Sequence, residues 1–343
     1  MVLRIHFTAT DLARTRVAKG PDPLWEAVLS LHVLQSRRPP AHTLDWRARV
    51  RAEAATAGTA SQIKHVLFPL APVATYFPDF LTPSESADGI DAGVRAVAST
   101  PTSKLRQQIK RLASRVPVPG WTRALAHGDR RLRETLADAL RAYHRTALAP
   151  WMDVIAQCVA VDREIRMRAL ADGGVERLLS SLGPGIRWEE PTLVADYPCD
   201  LDLHLDGRGL LLIPSYFCTR MPVALVDPDM QPVLVYPAMT AAVETMAAQS
   251  DVRQEALADL LGATRAVILT AIADGYSGRR LAAQVGVSPA TISHHTAVLR
   301  EAGLITSARR GNTVVHRLTM TGARLLGRVT GPDRNVLESA VRP

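Results

Sequence analysis

Lysine is scarce in this 343-residue chain: Lys19, Lys64, Lys104 and Lys110 are the only four among 41 basic residues, the rest being arginine. An arginine- and alanine-rich bias is what a high-G+C genome produces, so the net charge of +8 does not by itself name a partner. Cysteine is scarcer still. Cys158, Cys199 and Cys218 are odd in number and widely spaced, which argues against a disulfide framework. No apolar run reaches the roughly 20 residues that cross a bilayer. Arg4, Asp11, Arg14 and Arg16 interrupt the N-terminus before a secretory h-region can form. A soluble, cytoplasmic protein without a membrane partner is the expectation. Also missing are a Gly-x-Ser-x-Gly elbow, a Walker-type loop and a dinucleotide fingerprint. His127, His144 and His204 have no recognisable catalytic company, and Asp200 and Asp202 share a strand face at an expected, solvated sheet edge. The chain is therefore expected to be no enzyme and to carry no cofactor.

What is present is ample apolar material. Hydrophobic residues make up 47 % of the chain, too many for disorder, and its length favours two domains. A strand is expected at Leu3–Phe7. Leu24, Val28 and Leu31 then repeat at helical spacing until Pro39-Pro40. Leu132, Leu136, Leu140 and Tyr143 mark another helix, and Trp151, Val154, Ile155, Cys158 and Ile165 a third, broken at Gly173-Gly174. From Ile186 short β-like runs appear at 192–196, 201–205, 209–213, 223–226 and 233–236, separated by prolines, with a turn signal at Asp206-Gly207-Arg208-Gly209. They read as one small antiparallel sheet attached to a helical body. An alanine-rich, helix-like stretch, 238–262, follows.

Charge then becomes uneven. Residues 263–326 carry eight arginines against Asp274 and Glu301, a net +6, while the other 279 residues share +2. A basic module on a nearly neutral body is the footprint of a nucleic-acid binder. Thr264 can cap a helix running to Ala273 with Val267, Ile268 and Ile272 inward, ended by Gly275. Ser277 starts a short second helix holding Leu281, Ala282 and Val285. Gly286 can supply a left-handed turn and Val287 can plug the angle between helices. Ser288 caps the next helix and Pro289 takes its first position. At 100° per residue, Ile292, Thr296 and Leu299 form the core face of that helix and His295 borders it. Ala290, Thr291 and His294 point away, with Ser293 on the flank. Its N-terminal outer side is thus small and polar, suited to a major groove. Arg300 falls in the last turn. Leu304–Ala308 and Thr313–Thr319 then read as strands joined by Arg309-Arg310-Gly311-Asn312, a wing.

The run Ser288-Pro289-Ala290-Thr291-Ile292-Ser293-His294-His295-Thr296-Ala297-Val298-Leu299-Arg300-Glu301-Ala302-Gly303-Leu304-Ile305, with the arginine wing after it, resembles the recognition helix and strand entry of ArsR/SmtB-family winged-helix repressors. The likeness covers about residues 260–330, and Thr296 stands where the family usually carries leucine. It implies a homodimer, nucleoid-associated, that binds palindromic double-stranded operator DNA under the control of an effector, with the helices starting at Arg265 and Thr321 at the dimer contact. The expected fold class is α+β: a mainly helical N-terminal region with a small antiparallel sheet (1–250), then a winged helix-turn-helix domain (251–343). Ala290, Thr291, Ser293 and His294 are expected to face base edges, with His295 beside them. Ser288, Arg279, Arg280, Arg300, Arg309, Arg310 and Asn312 are expected at phosphates or the minor groove.

The metal-binding patterns of many relatives are absent. Residues 277–286 hold no cysteine or histidine, and Thr321–Thr330 no carboxylate or histidine. A site from Cys199 and Cys218 with His204 is the alternative for zinc or copper, without short ligand spacing to support it. The N-terminal region reads first as a sensor whose walls would be apolar with few polar anchors. A dimerisation or docking platform is the second reading and a catalytic domain the third. A winged helix reused for protein contacts is the rival to DNA binding.

Overall fold

A computed structural model describes residues 1–183, 185–219, 221–225, 230–238, 257–273, 278–310 and 313–326. The chain divides into two compact units, Met1–Glu244 and Thr245–Pro343. Among the described residues no helix is long and apolar enough to cross a membrane.

Unit one opens with strand β1 (Val2–His6), helix α1 (Ala9–Arg14) and strand β2 (Arg16–Val17). The helical body follows: α2 (Pro23–Gln35), α3 (Leu44–Thr56), α4 (Ile90–Ser99), α5 (Thr102–Ala113), α6 (Trp121–Ala126), α7 (Arg130–Tyr143) and α8 (Met152–Ser180), with short helical turns between 60 and 88. Asp22 caps α2 by accepting from Leu24 N and Trp25 N at 3.1 Å each, and Pro23 sits at the first position. From Leu24 to Leu34 nearly every residue of α2 is buried, not only the Leu24–Val28–Leu31 stripe. A helix enclosed on all sides shows little amphipathic contrast, which is why its sequence pattern marks only part of the buried surface. Ser30 Oγ and Tyr143 OH, 2.7 Å apart, tie it to α7, and Trp46 Nε1 donates to Ala147 O at 2.8 Å. The break expected in α8 is there: Gly173 and Gly174 leave helical geometry.

The β-region differs from the single antiparallel sheet that the sequence suggests. Among the described residues of unit one there are two mixed sheets. Strands β3 (Ile186–Glu189), β4 (Thr192–Asp196), β1 and β5 (Leu201–His204) form one in the order β3-β4-β1-β5, with β1 antiparallel to β4 and parallel to β5. Strands β6 (Leu211–Ser215), β7 (Val223–Ala224) and β8 (Val233–Pro237) join β2 in the order β2-β6-β8-β7, where β6 is parallel to both neighbours. The 206–209 turn does not close a hairpin, because each strand it joins pairs with a different piece of the N-terminus. Gly209, at φ +73°, lies so close to Arg14 that a Cβ there would meet the Arg14 carbonyl oxygen at 2.6 Å. Its N–H donates to Asp11 Oδ1 at 2.9 Å. That approach carries the chain from one sheet to the other. Leu3, Ile5, Leu193, Leu205, Leu212 and Leu234 share one core between the sheets, with Leu178 and Leu179 of α8 packed on it.

Unit two comprises α9 (Ala263–Ala273), α10 (Gly278–Val285), α11 (Pro289–Glu301), the hairpin β9 (Ile305–Arg310) and β10 (Thr313–Leu318), and α12 (Met320–Leu325). Of the alanine-rich stretch before it, 257–261 is helical, ending at Gly262 with φ +85°, and 239–256 lies outside the described residues. Ile268, Leu269, Ile272, Leu281, Ile292, Leu299 and Ile305 build its core.

Candidate nucleic-acid interface

The first helix of unit two departs from its expected frame. It starts at Ala263, so Thr264 is inside it rather than capping it, and Val267 is 42 % exposed while Ala266 and Leu269 take the inward places. Gly275 and Ser277 lie outside the described residues. The turn after α10 follows the sequence closely. Gly286 has φ +72°, the left-handed conformation that a Cβ would oppose, and Leu281 and Ala282 are buried against the neighbouring helices. Val285 and Val287 pack on the same core.

Helix α11 is held at its start by its own side chains. Ser288 is extended (φ −66°, ψ 152°), and its Oγ accepts from Thr291 N at 3.1 Å, with Pro289 at the first position. Ile292, Thr296 and Leu299 are buried. The one polar member of this face is satisfied internally, since Thr296 Oγ1 donates to Ile292 O at 2.8 Å. Ala290, Ser293 and His294 are exposed and Thr291 is half-buried. Ser293 Oγ donates back to Pro289 O at 3.0 Å, leaving its lone pairs outward, and Thr291 Oγ1 lies 2.8 Å from Ser288 Oγ. His295 departs from this group. It is half-buried, its Nδ1 finds no hydrogen-bond partner among the described residues, and its ring meets that of His294 edge-on at 5.4 Å. Desolvation first, then His294 and Arg265, hold it below the usual histidine range, and its half-burial puts it at the border of the core face, as expected.

The wing is tighter than expected. Arg309 and Arg310 are not in the turn; they are the last residues of β9, opposite Val314 and Thr313. Only residues 311 and 312 connect the strands, and both, Asn312 included, lie outside the described residues. Ser307 Oγ and His316 Nδ1, 2.8 Å apart, bridge the strands on the face that carries buried Ile305. Arg309 is exposed, and so are Arg300 at the end of α11 and Arg317 on β10. Arg317 is a cation that the wing reading passes over. The two-residue alternation from Ile305 through the register to Thr306 opposite Arg317 is the signal that places it outward. Arg279 and Arg280 fall in the first turn of α10. The ion pairs found among the described residues all lie in unit one, which leaves the guanidinium groups of Arg265, Arg300, Arg309 and Arg317 without an acidic partner there. A capped helix with an uncharged outer side, next to exposed arginines on a two-stranded wing, can admit base edges to the helix and phosphates to the arginines.

Residues 264–307 match the family described as bacterial regulatory protein, arsR family. Unit two therefore carries an ArsR-family helix-turn-helix, a DNA-binding domain of transcriptional regulators, behind a long N-terminal region. The match spans α9, α10 and α11 and ends inside β9, so the second strand of the wing lies beyond it. No curated protein and no solved structure matches the chain.

The cysteines stand apart from this ArsR-family domain. Cys199 lies in the loop between β4 and β5 and Cys218 beyond the end of β6, so neither is in a strand. Cys218 Sγ is buried and donates to Met221 O at 3.3 Å. Among the described residues no three His, Cys, Asp or Glu side chains gather as they would around a metal ion, the Cys199, Cys218 and His204 trio included.

Proposed function

We propose that this chain is a one-component transcriptional regulator, a homodimeric repressor that binds palindromic operator DNA through α11 and is controlled by a small molecule held in unit one. It is not an enzyme on this reading. The observation that carries it is the outer side of α11: exposed Ala290, Ser293 and His294 beside Thr291 at the capped, electropositive end of the helix, with exposed Arg300 in its last turn and exposed Arg309 on the wing strand β9. Ala290, Thr291, Ser293 and His294 meet base edges. Ser288, Arg279, Arg280, Arg300, Arg309, Arg310 and Asn312 hold phosphates or reach the minor groove. Twofold symmetry of the protein would be mirrored in the operator.

Footprinting on the DNA upstream of the chain's own gene, at several salt concentrations, tests this. Arg309→Ala should weaken binding to all sequences and lower the salt slope by about one, as loss of a single phosphate contact does. His294→Ala should instead change preference at particular base pairs, by roughly 1–3 kcal/mol per lost contact. A protected palindrome would report the dimer. If neither substitution moved the titration, or if wild-type affinity were low with a shallow salt slope, a winged helix used for protein contacts would replace this reading.

A further inference from the structure

Unit one contains a cavity of about 210 Å³ walled by α2, the 73–79 loop, Tyr197-Pro198 and the segment between β6 and β7. Its volume lies above the roughly 150 Å³ hole that accepts a benzene and below the roughly 300 Å³ at which drug-sized pockets begin. One or two rings fill it. The walls are largely apolar and aromatic: Leu29, Val33, Tyr76, Phe77, Tyr197 and Phe217 all face the space. The described lining holds no lysine or arginine and one carboxylate, Asp79, which is already engaged, so the largely apolar walls disfavour a charge of either sign.

The polar atoms in these walls are mostly spent. The Cys218 thiol donates to Met221 O, and the Tyr197 hydroxyl is engaged with the backbone of Ala224. His32 is different. Neither ring nitrogen makes a hydrogen bond among the described residues, Nε2 is fully buried, and the ring packs edge-on against Phe77 at 5.6 Å. Burial pushes its pKa down to about 4, so the imidazole is neutral near pH 7 and can donate from one nitrogen and accept at the other. A buried polar group left without a partner calls for one. Val73, Ala74 and Thr75 of the lining are exposed, so the wall at this loop is also in contact with solvent.

We infer that this cavity binds a small, neutral, one- or two-ring molecule carrying a single hydrogen-bonding group, of the chemical class of phenols and indoles, with His32 receiving that group. The wall that such a ligand touches is well anchored. Glu26 of α2 accepts from Tyr216 N at 2.9 Å and Phe217 N at 3.2 Å at one end, and β7 pairs with β8 at the other. β8 is the last described strand before the chain leads into unit two. The site deepens the regulator reading by giving the effector a chemical class, and its effector role rests on that reading.

The test uses the full chain labelled with 13C-methyl methionine. Met221 lines the cavity, and its resonance is assigned through Met221→Leu. Indole and phenol should shift that resonance saturably, and benzoate and benzylammonium should bind at least tenfold more weakly. His32→Phe keeps a ring but removes both nitrogens. It should weaken indole and phenol about tenfold, the value of one hydrogen bond, and leave toluene unchanged. Should His32→Phe fail to fold, His32→Gln retains a hydrogen-bonding group and should hold indole within a few-fold of wild type. No saturable Met221 shift with any neutral probe, tighter binding of a charged probe, or an equal loss of toluene and phenol in His32→Phe would each overturn the inference. Because no DNA is present, failure here leaves operator binding standing, and a blank footprint leaves this site standing.

Discussion

In unit two, the buried hydroxyl of Thr296 donates to Ile292, four residues back in its own helix, and Ser288 caps the helix it begins. In unit one, the buried carboxylate of Glu26 accepts from Ser215 Oγ, Tyr216 N and Phe217 N, some 190 residues further along the chain. Asp11 likewise receives Gly209 N, and Tyr236 OH donates to Asp162. Thr296 and Ser288 find their partners within four residues, whereas Glu26 and Asp11 find theirs some 190 residues away. Local satisfaction leaves a spacing that the sequence displays. Long-range satisfaction leaves isolated acidic residues in apolar helices that look like interruptions until the fold brings their donors.

The hardest way to break this contrast is to remove the long-range acceptor. Glu26→Leu fits a helix and an apolar surround, but it orphans two backbone N–H groups and one hydroxyl, all buried. At about 1–3 kcal/mol for each unsatisfied group, with some relaxation, unit one should lose on the order of 3–5 kcal/mol. All five tryptophans lie in unit one, so urea unfolding followed by tryptophan fluorescence reads this loss directly. Hydrogen exchange in peptides covering 281–304 should stay as in wild type. A change there as large as that in fluorescence would mean that the two patterns of satisfaction are not separable.

Legibility followed the same division. The α10–α11 turn, the Ser288 cap, the Ile292–Thr296–Leu299 face and the hairpin were readable because each depends on residues within about one turn or one strand pair. In unit one, strands β4 to β8 were readable as strands, yet not as two sheets, because β1 and β2, far off in sequence, decide the pairing. Two-residue β2 carries no period of its own, and Glu26 and His32 offered no motif. At the candidate interface, Arg309 and Arg310 were misplaced because the β9–β10 ladder continues through both, up to the Arg310–Thr313 pair.

Proton linkage sharpens the comparison further. Burial, against its three hydrogen bonds, raises Glu26 to about 7 from an ordinary 4.5, with Asp22 adding to the rise. Between those values the folded state keeps a proton that the unfolded chain releases, so this residue's contribution falls as pH rises from about 4.5 to about 7 and is flat above. His32, pushed down to about 4, works the other way: its contribution is present above 6.5 and is lost as pH falls towards 4. The two oppose one another between about 4.5 and 6.5. Glu26→Gln cancels only the first, so the stability advantage of wild type over this variant should shrink by on the order of 3 kcal/mol between pH 4.5 and 7. Urea midpoints at pH 4.5, 5.5, 7 and 8 supply the measurement. An advantage that grows with pH would show that the carboxylate is held ionised by its donors and not disfavoured by its burial.

The smallest effect is expected at Thr296, the polar member of the buried face of α11. The position is 4 % exposed, and its hydroxyl bonds only to carbonyls of its own helix, Ile292 O at 2.8 Å and Ser293 O at 3.2 Å. Thr296→Val keeps the shape and removes the hydroxyl. Neither carbonyl depends on that hydroxyl for its helical hydrogen bond, so no buried group is stranded, and the added methyl exchanges polar for apolar burial. Stability of unit two should change by no more than about 0.5 kcal/mol, in the stabilising direction, read as hydrogen exchange across 292–299. Operator affinity should be unaltered, because the substituted face points to the core. A loss above about 1 kcal/mol would mean that Thr296 is tied into a wider network than the carbonyls of its own helix.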